Sequence, residues 1–86
     1  MQFEGAVIRE QGVTFAVVIV KRFVIQSAHT ASEAIRNFGS AFPGLPVVLM
    51  AQDSRGRATF YGRADLTRFL ARVPLRAIPW KRYSYS

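Results

Sequence analysis

The residues able to do acid–base, nucleophilic or metal chemistry are few and scattered. His29 is the single histidine, cysteine is absent, and the acids are Glu4, Glu10, Glu33, Asp53 and Asp65. Without cysteine there is no thiolate nucleophile, redox pair, disulfide framework or zinc–thiolate site. A lone histidine gives no cluster for a metal, and its neighbours Ser27, Thr30 and Ser32 read as helix-start residues rather than members of a nucleophilic triad. Thr30 and Glu33 have capping-box spacing, Asp65 suits a helix N-terminus, and Asp53 belongs to a turn. Glu4 and Glu10 fall at opposite ends of one strand, about 20 Å apart, too far to share a site. Gly39-Ser40 and Gly44 match neither a phosphate-binding loop nor a dinucleotide fingerprint. These residues predict a protein that is not an enzyme and that holds no metal or cofactor.

The bases offer a different chemistry. Residues 1–53 carry four bases against four acids, whereas residues 54–86 carry eight bases against Asp65 alone, so the whole net charge of +7 sits in the last 33 residues. Ten of the twelve bases are arginine, the side chain suited to bidentate phosphate contact and to stacking on flat rings. Arg55 and Arg57 flank a turn, Arg63 precedes a helix, and Arg68 and Arg72 project from one side of it. Arg76, Lys81 and Arg82 follow beside Trp80, Tyr83 and Tyr85. Arginine mixed with aromatic residues suits unpaired bases, so the candidate site is Arg55, Arg57, Arg63, Arg68, Arg72, Arg76, Trp80, Lys81 and Arg82, with RNA or a single strand favoured over duplex. The plainer alternative is a solvated basic face, with the tail aromatics completing the core or a dimer contact.

These side chains need a scaffold. The chain has 86 residues, half of them apolar and 13% aromatic, which is enough for one cored domain and argues against disorder. The longest apolar run, Val13 to Val20, is far short of the ~20 residues that span a bilayer. Met1-Gln2-Phe3-Glu4 lacks the basic and apolar regions of a secretory signal, which predicts a cytoplasmic protein without membrane contact.

Phe3–Arg9 and Val13–Val20 flank Glu10-Gln11-Gly12 as a β-hairpin, and the second strand, apolar on both faces, could continue through Phe23-Val24-Ile25. A helix follows, capped by Thr30, striped by Ala31, Ala34, Ile35 and Phe38, and ended by Gly39 in the left-handed conformation. Val47–Gln52 and Ala58–Tyr61 form a second hairpin around Asp53-Ser54-Arg55-Gly56, with Gly56 at the position of positive φ. Leu66, Phe69, Leu70 and Val73 then stripe a second helix closed by Pro74. The predicted core runs through Val7, Phe15, Val17, Val18, Ile19, Ile35, Phe38, Val48, Leu49, Phe60, Leu66, Phe69 and Leu70.

The stretch from Leu45-Pro46 through strand, turn, strand, Gly62 and amphipathic helix resembles the C-terminal half of a thioredoxin fold, where a proline precedes the third strand. The resemblance covers about a third of the chain and implies topology only, because no Cys-x-x-Cys is present to carry redox chemistry.

The expected fold is therefore α+β: a small two-layer sandwich in ββαββα order, about four strands with two helices on one face, plus a C-terminal tail. Residues 1–74 are the domain, and residues 75–86 a basic aromatic tail that serves as edge strand, dimer arm or flexible extension. The expected function is a small non-enzymatic binding protein that contacts nucleic acid or another anionic partner, such as an acidic protein, through its arginine-rich second half. The alternative is a homodimeric interaction or accessory module whose aromatic tail is structural.

Overall fold

The structure, a computed structural model, describes residues 2–10 and 12–84. Five strands and three α-helices form a mixed α+β domain: β1 (Gln2–Glu10), β2 (Val13–Ile19), α1 (Arg22–Ile25), α2 (Ala28–Gly39), β3 (Val47–Gln52), β4 (Ala58–Tyr61), α3 (Ala64–Leu70) and β5 (Lys81–Ser84). A 3₁₀ turn, Leu75–Ala77, precedes β5. The sheet order is β4-β3-β2-β1-β5. Only β2 and β3 run parallel, with Ala16 opposite Val47 and Ile19 opposite Met50; the other neighbours are antiparallel.

Both hairpins predicted from turn chemistry are present. Gly12 (φ 80°) leads into β2, while Gln11 lies outside the described residues. In the second hairpin Gly56 has φ 81°, and Asp53 Oδ1 accepts from the backbone N–H groups of Arg55 and Arg57, each at 2.9 Å. That carboxylate satisfies two turn donors at once, which explains why the bounds of β3 and β4 agree with the sequence pattern.

The helices do not share one face. Ala31 and Phe38 of α2 are buried with Ala16, Val18, Val47 and Leu49 on the first face, whereas Leu66 and Leu70 of α3 are buried with Phe15, Val17, Val48 and Met50 on the second. The physical reason lies in the two central strands. Four consecutive residues of β2 and five of β3 are buried, so alternating side chains need cover on both sides. Helix α2 belongs to the crossover between parallel β2 and β3. Helix α3 follows β4 on the opposite face, and the chain then crosses that face to reach β5 at the far edge, burying Ile78 on the way.

Three local expectations are corrected. After Val20 donates to the Met50 carbonyl at 2.8 Å, the chain leaves the sheet and turns into α1 rather than continuing as strand through Phe23–Ile25. Helix α2 starts earlier than Thr30: Ser27 is its cap and accepts from Thr30 N at 3.4 Å, while Glu33 instead lies 3.2 Å from His29. Gly39 is the last helical residue, without positive φ, and the left-handed glycine is Gly44 (φ 79°). The hairpin and helix that carry the thioredoxin likeness are present as β3, β4 and α3, and the Leu45–Pro46 peptide is trans.

The tail is an edge strand. β5 pairs antiparallel with β1 from Gln2 opposite Ser84 to Gly5 opposite Lys81. Its Tyr83 joins Phe3, Phe38 and Phe42 in an aromatic cluster on the first face. Phe3, Phe42 and Ile78 are core residues that periodicity alone did not select, whereas Val7, expected inside, is 42% exposed.

Candidate functional site

The nine residues singled out in the sequence divide into several groups. Arg55 and Arg57 stand at the β3–β4 turn, and Arg57 Nε lies 3.5 Å from Asp53 Oδ2. Arg63 is tied to Asp65 by two hydrogen bonds of 2.8 Å, a bidentate pair within the first turn of α3. The pair holds the Asp65 carboxyl below the usual carboxylate range, chiefly through the Arg63 side-chain bonds, and raises Arg63 in turn. Asp53 is also lowered, first by the Arg57 backbone N–H. Arg57 and Arg63 are thus arginines whose charge already has a partner.

Arg68 and Arg72 differ. Both are exposed, both line a groove shared with Phe69, Val13, Glu10 and Asp65, and neither makes an ion pair among the described residues. Arg72 lies just beyond the end of α3, in a turn where its backbone N–H donates to the Phe69 carbonyl at 3.1 Å, rather than on the helix with Arg68 as the sequence predicted. Arg68 lies in the last turn of α3, where the helix dipole favours a cation. Arg76 follows, exposed, on the 3₁₀ turn. Glu10 sets a negative charge on the opposing wall of the groove.

Trp80 is corrected from a stacking platform to a packing residue. Its indole N–H donates to the Leu75 carbonyl at 3.0 Å, and its ring packs against the core of the second face. Tyr83 is likewise engaged, stacked on Phe3 and edge-on to Phe42. Tyr85 lies outside the described residues. Strand alternation separates Lys81 from Arg82, and Arg82 stands opposite Glu4 across the β1–β5 pair. Lys81 and Arg82 therefore face opposite sides of the sheet.

A cleft of about 820 Å³ escaped the sequence reading. It opens between α1, α2 and the edge of the sheet where β1 begins and β2 ends, with Phe23 and Val24 on one side and Ala34 and Phe38 on the other. Phe23 is 62% exposed, and no residue of α1 is buried. The signal available in the sequence was Lys21-Arg22 followed by Phe23-Val24-Ile25, a charged pair abutting an apolar triplet; read as strand, it concealed an exposed aromatic.

Among the described residues, no group of three or more His, Cys, Asp or Glu side chains could hold a metal, no polar or charged side chain is buried, and no helix is long and apolar enough to cross a membrane. Comparison with family models, curated proteins and solved structures finds no match to this chain.

Proposed function

We propose that this protein binds nucleic acid through the phosphate backbone, with Arg68 and Arg72 as the principal contacts and Arg76 adjoining them. The observation that carries the reading is the contrast among the arginines: Arg68 and Arg72 are exposed along one groove without an ion-pair partner, whereas Arg57 and Arg63 are matched by Asp53 and Asp65. An unpaired guanidinium meets phosphate without first giving up a carboxylate. With Trp80 and Tyr83 engaged in packing, the support for base stacking falls away, and the reading becomes sequence-independent backbone contact rather than selection of unpaired bases.

Fluorescence anisotropy of labelled duplex DNA, single-stranded DNA and single-stranded RNA at several salt concentrations tests it. Three phosphate contacts give a slope of log affinity against log salt of about −2.7 on duplex and about −2.1 on single strands. The double variant Arg68→Ala/Arg72→Ala should flatten the slope, and Glu10→Gln, which removes the groove's acid that has no ion-pair partner among the described residues, should tighten binding. Absence of binding at low salt ends this reading.

A second reading, self-association, is favoured by the edge of β1. β5 pairs only with Gln2–Gly5, so Ala6 to Glu10 have no partner on that side among the described residues, and the exposed Val7 lies within this stretch. A second copy could add its own β1 there about a two-fold axis. Light scattering should then give a dimer mass that Val7→Lys reduces to a monomer, and a monomer at all concentrations removes this reading.

A further inference from the structure

We propose that the cleft between α1 and α2 is a binding site for a small amphipathic anion: a molecule with an apolar body and one carboxylate-like head. This site is independent of the phosphate-contacting groove. It lies where β1 begins and β2 ends, while Arg68 and Arg72 flank Glu10 and Val13 at the opposite end of the same hairpin.

Three features define the ligand. The volume, about 820 Å³, falls within the roughly 300–1,000 Å³ of small-molecule sites. Its walls are largely apolar, and Phe23 leaves 62% of its surface to water while its neighbours Val24 and Ile25 pack against the first-face core, an arrangement relieved when an apolar body lies against the ring. The charge at the rim has one sign: Lys21 and Arg36 line the cleft, no acidic residue does, and neither base makes an ion pair among the described residues. Asn37 adds a side-chain amide beside Arg36. An apolar floor under a cationic rim favours a molecule that presents both characters, because a neutral chain leaves the cations unpaired and a bare anion leaves Phe23 wet.

The probe is decanoate, titrated into the full chain labelled with ¹⁵N and followed by amide chemical shifts, with decanol and acetate as controls for body without head and head without body. Saturable shifts should be confined to residues 2–3, 19–24 and 34–40. Decanol and acetate should each bind about tenfold or more weakly than decanoate, the scale of one charge-assisted contact or of comparable lost apolar burial. Lys21→Gln/Arg36→Gln should weaken decanoate about tenfold while leaving decanol unchanged. Phe23→Ser, at an exposed position, should keep the folded spectrum and weaken both. Shifts that map instead to residues 68–76, equal binding of decanol and decanoate, or no saturable shift up to about 1 mM would each overturn the proposal.

Discussion

Tyr83 stacks on Phe3 with ring centroids 5.3 Å apart and planes 11° from parallel, so the last described strand is fastened to the first through their side chains as well as their backbones. On the opposite face Trp80 packs against the second core, its indole N–H bonded within the tail to the Leu75 carbonyl. The tail is thus held on both sides of the sheet.

Truncation after Pro74 should therefore unfold the domain rather than leave a trimmed one. It removes buried Ile78, half-buried Trp80 and Tyr83, and the strand that covers the lower edge of β1. Each lost aromatic is a change of about 3 kcal/mol in a fully packed site, a large fraction of the roughly 5–15 kcal/mol that stabilises a domain. Circular dichroism should show no cooperative melt for residues 1–74. Within the full chain, Trp80→Phe, which keeps the ring but loses the hydrogen bond, should cost about 1 kcal/mol by urea titration.

Gly5→Ala should destabilise although alanine is the better strand former. A Cβ at residue 5 would lie 2.8 Å from the Val17 carbonyl oxygen, an atom of the neighbouring strand's backbone that cannot rotate away, with Phe3 and Tyr83 closing the remaining side. Opening β1 from β2 to admit it costs about 1–3 kcal/mol, which lowers Tm by several degrees in a chain of this length. An unchanged Tm would show that the strands separate there without penalty.

Much of this architecture is written in local chemistry. The β3–β4 hairpin is legible because Asp53 and Gly56 solve the turn within five residues, and α2 and α3 because each keeps an apolar stripe at helical spacing. What escaped is non-local. That β2 and β3 need cover on both faces is visible in their unbroken apolar runs, yet which helix covers which face depends on how the chain crosses the sheet. The candidate site was legible in composition, as an excess of arginine, but not in its partition. Arg63 and Arg68 look alike in the sequence and differ only because Asp65 folds back on Arg63.

Acid should weaken the fold through Asp53 and Asp65. Both carboxyls are lowered, Asp53 chiefly by the Arg57 backbone N–H and Asp65 chiefly by the Arg63 side chain. A group with a depressed folded pKa contributes its full stability above the unfolded value, about 3.9, and loses it as pH falls through the lower folded value. Tm should accordingly drop below about pH 4. Asp53→Asn, which cannot titrate, should start from a lower Tm at neutral pH and show a shallower acid limb. Equal limbs in wild type and variant would place the acid sensitivity elsewhere.

The pairing of Arg63 also orders the effects of arginine removal on polyanion binding. Arg63→Ala frees Asp65 at the start of α3, so an acid that lines the groove loses its cationic partner, whereas Arg68→Ala removes an unpaired cation from the groove outright. Both variants lower the net charge equally, and a purely long-range attraction would treat them alike. Direct phosphate contact treats them differently: Arg68→Ala should reduce the magnitude of the salt slope by about 0.9 on duplex DNA. Arg63→Ala should weaken affinity while leaving that slope nearly unchanged, since no phosphate contact is lost. The slopes of the two variants, measured by anisotropy across the same salt range, decide between contact and field. Identical slopes would mean that the arginines act only through the total charge of the chain.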